Sequence, residues 1–311
     1  MATLIPTIVM IVLPLVFGIA FATGAYRAWF GVRGPVSDAL IGLSLTAILG
    51  FLLVAGPWAF GIFWLRYVTA GLVAVGLIRF LATFWRTPTG PGGIFNRIGQ
   101  VFTVVLGLLF GAALALSVQG FRPPNDEPVV DLSFPLKGGL FVVGHGGASE
   151  ALNYHVVSPT QRYAVDVIAI NAAGLRANRF PPRTNEDYAI WGAQVVAPCA
   201  GTVAFARDGL PDADGAQSDR ETPAGNMIAL NCDDVTVLIA HLQNGSVAVE
   251  TGDAVDVGDD LGLIGNSGNT TEPHLHIHVE RGPYAGEFSD NIGAPARFDG
   301  RFLLRNDLVR R

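Results

Sequence analysis

Glu272-Pro273-His274-Leu275-His276-Ile277-His278 sets three of the chain's six histidines at alternate positions in an otherwise apolar run. Ile277 and Val279 are β-branched, which suits a strand better than a helix. In a strand, side chains two apart share one face, and neighbouring histidine Cα atoms lie roughly 6.5–7 Å apart. At that spacing one imidazole can hold a metal while the next reaches whatever the metal activates. An ordinary histidine-rich surface strand would look the same. The surrounding sequence decides between them.

Around this run, helical periodicity is largely absent from the second half of the chain. Short Val- and Ile-rich runs alternate with Gly, Asp and Asn turns at Leu140–Val143, Ala164–Ile170, Gly201–Ala206, Asn226–Leu230, Val235–Ala240, Leu261–Ile264 and Leu275–Val279. The pattern predicts a compact, mainly antiparallel β domain over 138–311. The stretch 208–224 has the composition of a surface loop. Cys199 and Cys232 both fall in expected strands; a disulfide between them is open, and an oxidising compartment would permit it. No C-x-x-C is present, which argues against a cysteine zinc site. Two β-turn-β units, at Ala197–Val203 and Gly252–Asp259, resemble those of lipoyl-type carriers. A carrier presents a lysine at a hairpin tip, and the chain's one lysine, Lys137, lies outside both units.

The first half is different in kind. Residues 1–121 carry six arginines (27, 33, 66, 79, 86 and 97) and one acid, Asp38, a balance of +5; with −6 overall, residues 122–311 carry −11. Apolar stretches predict about four transmembrane helices, at 4–23, 37–57, 63–84 and 100–119, each near the roughly 20 residues that cross a bilayer. Arg66 and Arg79 sit near the ends of the third, where long side chains snorkel to the interface. Arg27 and Arg33 lie in one loop, Arg86 and Arg97 in another. Placing these basic loops inside puts the N-terminus and residues 122–311 on the extracytoplasmic side. Arg122, just past the fourth span, is the one basic residue against that orientation. The first span lacks a basic leader and is followed by others, so it reads as retained rather than as a cleaved signal. Residues 122–137, opening with Arg122-Pro123-Pro124-Asn125-Asp126-Glu127-Pro128, read as a stiff linker.

Within the β half, Asp166 lies in the apolar run Ala164-Val165-Asp166-Val167-Ile168, where a carboxylate is costly unless paired or metal-bound. His241 ends the run Leu238-Ile239-Ala240-His241. These residues, with Val195-Val196-Ala197-Pro198, Gly201-Thr202-Val203, Gly225-Asn226, Gly252-Asp253, Gly265-Asn266-Ser267-Gly268 and Pro273-His274-Leu275-His276, resemble in order and spacing the lysostaphin/LytM-type zinc metallopeptidases. The resemblance runs from about Gly139 to Val279. It implies a barrel-sandwich-like β domain, one Zn2+ ion and cleavage of peptide bonds in bacterial peptidoglycan. By position, it implies Asp166 and His276 as metal ligands and His241 and His274 as catalytic histidines. That donor set suits zinc, and a catalytic zinc keeps one position open for water.

The chain departs from the family pattern at Arg162, where a ligand histidine four residues before the Asp is usual. Guanidinium stays protonated and has no lone pair to give. His155, in Asn153-Tyr154-His155, is the favoured replacement, because it is nearer and leads into the Asp166 strand; it also resembles a family variant with Asn-x-His ahead of Gln-Arg-Tyr-Ala. His145, in the Gly144–Gly147 loop, is the alternative, and a site with neither is a third. His278 shares the stripe and either orients a ligand, lines the cleft or is an ordinary strand residue; Arg162 could hold a substrate carboxylate or Asp166.

Two function classes follow: a membrane-anchored zinc endopeptidase of the cell envelope, partnered by the bilayer through 1–121, or a metal-free LytM-type module that binds and activates other wall hydrolases. The acidic soluble half lacks a basic aromatic surface, which argues against nucleic acid. There is no P-loop or G-x-S-x-G.

Overall fold

The computed structural model describes residues 4–90, 93–214 and 219–311. Residues 1–3 and 91–92 of the expected membrane part, and 215–218 of the expected surface loop, lie outside them. The chain divides into two compact units, Met1–Val118 and Gln119–Arg311.

Among the described residues the first unit is helical: α1 (Leu4–Thr23), a single turn α2 (Tyr26–Trp29), α3 (Gly34–Ala55), α4 (Leu65–Thr83) and α5 (Ile94–Gln119). Pro35 opens α3, where its missing N–H costs nothing. Three segments are long and apolar enough to cross a membrane: Gly34–Ala55, Leu65–Arg86 and Asn96–Gln119; α1 contributes the shorter apolar stretch Val12–Thr23. The four expected spans thus coincide with four helices, of which three meet the length and hydropathy requirement. Small residues let the helices approach closely. A Cβ on Gly76 of α4 would stand 2.3 Å from Phe21 of α1, and one on Gly107 of α5 would stand 2.4 Å from Ser44 of α3. Asp38 is fully buried and fully partnered: Arg27 Nη2 donates at 2.6 Å, Tyr26 Oη at 2.5 Å and Thr87 Oγ1 at 2.8 Å. A buried carboxylate needs such a shell.

The second unit is built on strands β1 (Val130–Leu132), β2 (Leu140–His145), β3 (Val165–Ala169), β4 (Gln194–Val196), β5 (Gly201–Arg207), β6 (Asn226–Cys232), β7 (Val235–Leu242), β8 (Ala254–Val255), β9 (Asp260–Leu263), β10 (Leu275–Arg281), β11 (Ala296–Phe298) and β12 (Leu308–Arg310). Eight form one antiparallel sheet in the order β12-β2-β3-β10-β7-β6-β5-β8; β4 pairs with β9, and β1 pairs with β11 in parallel. Strands β3 and β7 are buried along their whole length, and β10 is buried up to Arg281. One face carries Val165, Val167, Val237, Ile239, Leu275, Ile277 and Val279 into the main core. Each such side chain contributes about 1.5–3 kcal/mol by leaving water. The other face carries the polar stripe.

Residues 122–137 are not a free linker throughout. Val130–Leu132 is a strand on β11, and Leu132, Phe134 and Leu136 are buried in the main core. The Pro-rich opening hid this, because the alternating apolar residues begin only at Val130. Cys199, just ahead of β5, and Cys232, at the end of β6, are joined as a disulfide, 33 residues apart in sequence. Closing a loop of that length stabilises by about 3–4 kcal/mol in the chain-entropy account. The C199A/C232A variant is therefore expected to unfold at a clearly lower temperature; an unchanged midpoint by circular dichroism would show that the bridge adds nothing.

Candidate metal centre

Register builds the centre on the polar face. His276 lies opposite Asp166 on β3 and opposite Ala240 on β7. Two β-bulges then bring in residues that simple alternation would send to the core. In β2, Val143 pairs with Val167 but His145 pairs with Asp166, so β2 holds one extra residue there. In β7, Asn226 pairs with Leu242 and Ile228 with Ile239, leaving one extra residue at Ala240–His241. His241 takes φ 63°, a left-handed value rare for a residue with a side chain. Bulges near sites re-aim side chains in this way. Gly225 makes the second bulge feasible: it has φ 63°, and a Cβ there would stand 2.3 Å from the Ser267 carbonyl oxygen.

His155 arrives from outside the sheet, on a short 3-10 turn, Tyr154–Val157. Asn153 fixes that turn. Its Oδ1 accepts the His155 N–H at 3.2 Å, and its Nδ2 donates to the carbonyls of Gly147 and Ala164 at 3.1 and 2.9 Å.

The result is a buried group, His155, Asp166 and His276, whose ligand atoms all lie within 4.8 Å of one another. His155 Nε2 is 3.0 Å from Asp166 Oδ2, and His276 Nδ1 is 2.9 Å from Asp166 Oδ1. Tetrahedral zinc with bonds of about 2.0–2.1 Å separates its ligand atoms by about 3.3 Å. His145 Nδ1 also reaches Asp166 Oδ2, at 3.1 Å, but His145 is not part of that three-residue group.

Hydrogen bonding behind His276 fits a cation. Glu280 Oε1 lies 3.0 Å from His278 Nε2, and Ser289 Oγ donates to Glu280 Oε2 at 2.8 Å. Burial alone would raise the Glu280 pKa, but hydrogen bonds from His278 and Ser289 bring it below the usual value. An ionised Glu280 only accepts, so His278 Nε2 is the donor in that pair. His276 Nε2 lies 3.0 Å from His278 Nδ1, so one of the two rings donates to the other. In the tautomer protonated at Nε2, His276 Nδ1 turns its lone pair toward Asp166 Oδ1; in the other tautomer it donates to that oxygen. The first of these suits a cation between the two atoms.

Burial and the neighbouring imidazoles agree. Desolvation pushes the His276 pKa down to about 3, and desolvation with the adjacent His274 and His276 holds His241 well below its ordinary value. Burial would raise Asp166, but His155's charge and hydrogen bonds from His145, His155 and His276 hold it well below the carboxylate range. Groups with depressed folded-state pKa values stabilise the fold above their unfolded values and lose that contribution as pH falls. The metal-free unit is therefore expected to lose stability as pH drops from about 6.5 towards 3; a melting temperature flat over that range would contradict the arrangement.

His241 and His274 stand to one side, ring centroids 4.8 Å apart, with His241 5.9 Å from His276. His241 Nδ1 donates to the Ser267 carbonyl at 2.9 Å, and His274 Nδ1 to that of Glu272 at 2.9 Å. A carbonyl only accepts, so in the neutral rings both Nε2 atoms carry lone pairs. His274 Nε2 is 3.9 Å from Asp166 Oδ1.

Arg162 forms no ion pair with Asp166 among the described residues. Its guanidinium lies over the Tyr163 ring at 5.4 Å, and its Nε is buried without a partner. Sequence reasoning overlooked Asn153, Ser267 and Glu280 as supports. A signal for Glu280 was present, because it continues the same alternation two residues beyond His278.

The profile of Peptidase family M23 matches residues 185–287, which include His241, His274, His276, His278 and Glu280 and begin after Asp166. An uncharacterised metalloprotease of Buchnera aphidicola subsp. Baizongia pistaciae (strain Bp) is 33% identical over 104 residues, 33% of this chain and 26% of that protein. The chain thus spans about a quarter of that relative. A zinc-containing peptidase from Vibrio cholerae shares 20% identity over 49% of this chain and 37% of its own, with TM-score 0.30. The catalytic domain of lysostaphin from Staphylococcus simulans shares 23% over 34% and 76%, with TM-score 0.22. Over residues 185–287 the C-terminal unit of this chain is similar to Peptidase family M23.

Proposed function

We propose that this chain is a membrane-anchored zinc metalloendopeptidase acting on peptide bonds of the cell wall outside the cytoplasmic membrane. The observation that carries this reading is the buried group His155, Asp166 and His276, whose ligand atoms all lie within 4.8 Å of one another. His155, Asp166 and His276 would hold the ion, which when bound supplies Lewis acidity and brings the pKa of a water to about 7. Every other part belongs to the chain. His241 Nε2, neutral and accepting, takes a proton from the attacking water. His274 Nε2 lies across from it, placed to donate to the developing oxyanion once protonated, or to share the base role. His278 and Glu280 form the hydrogen-bonded chain behind His276. The four helices anchor the unit, with the basic loops inside and the disulfide in an oxidising space. Peptidoglycan is the substrate that the family reading favours.

The test is direct. The purified chain should contain one zinc and release peptides from peptidoglycan, and a chelator should stop release. Metal-free protein that releases nothing, yet stimulates another wall hydrolase, would instead establish the binding-module reading. That alternative draws on Arg162 in the usual ligand position. A subtler check concerns the support: Glu280→Gln is expected to weaken zinc about 10–100-fold, as loss of a group behind a ligand does, whereas unchanged affinity would assign Glu280 to packing alone.

A further inference from the structure

We propose that the C-terminal unit holds the phosphate of an anionic lipid headgroup in a second site, made by Arg122, Arg297 and Arg301. These three arginines line a cavity of about 440 Å³ with Phe121, Phe302 and Asn125. Arg297 is half-buried on β11, between the buried Ala296 and Phe298. No acid lines the cavity. Arg301 is the one arginine of the three with an ionic partner among the described residues, Asp307 at 3.3 Å. Three guanidiniums in one concavity repel one another and select an anion; their planar forks suit phosphate oxygens.

Position names the source of the phosphate. Phe121 and Arg122 follow the last residue of α5, Gln119, by two and three residues. Chain connectivity alone keeps them within about 7 and 11 Å of it. If α5 crosses the bilayer, as the proposed function has it, the cavity sits at headgroup depth. Phe121 and Phe302 then suit the apolar side of that interface, and the arginines suit the charged side. This also removes an anomaly of the orientation: Arg122 lies outside as a headgroup ligand. Basic residues near an anionic surface are worth about fivefold in binding each.

The experiment uses the full chain in neutral detergent micelles, titrated with soluble dihexanoyl phosphatidylglycerol, dihexanoyl phosphatidylcholine or inorganic phosphate, with binding read by native mass spectrometry. Phosphatidylglycerol should bind at least about tenfold more tightly than the other two. R297Q/R301Q should erase that preference, and R220Q, on an exposed loop, should keep it. Should the double variant lose its near-ultraviolet circular dichroism, the exposed R122Q serves instead, with a loss of about fivefold. Equal affinity for both lipids, or a preference that survives the arginine variants, overturns the site. Inorganic phosphate binding as tightly as phosphatidylglycerol overturns the lipid assignment and leaves a soluble phosphate ligand. Carbonate washing of membranes tests the spans separately; a chain released by it would refute the anchoring while the micelle titration still judged the cavity.

Discussion

Replacing His155 by alanine is expected to empty the metal centre and abolish peptide release. With His155 gone, Asp166 and His276 remain as two ligands, fewer than the three that a catalytic zinc takes from its protein. Zinc should fall from one per chain to a trace after dialysis. Turnover should fall by roughly 10³-fold or more, because water at its unassisted pKa is a poor nucleophile at neutral pH. Arg162→Ala, at the position where a ligand histidine is usual, should keep the metal, since Arg162 touches the Tyr163 ring and not Asp166. His145→Ala should also retain stoichiometric zinc in excess metal, with affinity lowered about 10–100-fold, because His145 supports Asp166 Oδ2. Metal analysis of the three variants decides the assignment. Full zinc in His155→Ala together with loss in His145→Ala would exchange the two roles.

Part of the fold around these residues was legible in the sequence. The stripe His274-Leu275-His276-Ile277-His278 announced a strand with chemistry on one face, and β10 has that alternation, with Ile277 in the core and His276 facing Asp166. The resemblance made Arg162 a departure and His155 the favoured replacement, with His145 and a site with neither left open. The bulges were not legible. Alternation along β7 turns His241 to the core side with Ile239, and along β2 it does the same to His145 with Val143. One extra residue in each strand reverses both, and nothing in Leu238-Ile239-Ala240-His241 signals it. The β7 bulge lies beside Gly225, 16 residues before His241, where the missing side chain lets the Ser267 carbonyl come close. Strand β1 was hidden for a different reason: three prolines before Val130 dominate the local reading, while its pairing partner, β11, lies more than 160 residues downstream.

His241→Ala is expected to keep the zinc and lose the turnover, which separates a catalytic imidazole from a ligand. The His241 ring donates from Nδ1 to Ser267, so its free Nε2 can only accept while the ring is neutral. Removing a positioned proton acceptor costs about 10²–10⁴-fold in kcat. Zinc content should stay near one per chain, because His241 is outside the His155, Asp166 and His276 group. The same ring sets a pH signature. Burial, with His274 and His276 beside it, holds His241 neutral well below the ordinary imidazole range, and a cation nearby acts in the same direction. Activity should therefore persist through pH 6, where a free imidazole is mostly protonated, and fail only at lower pH. A kcat/KM profile that fell with a midpoint near 6.5, or zinc lost from His241→Ala, would take the base role away from His241.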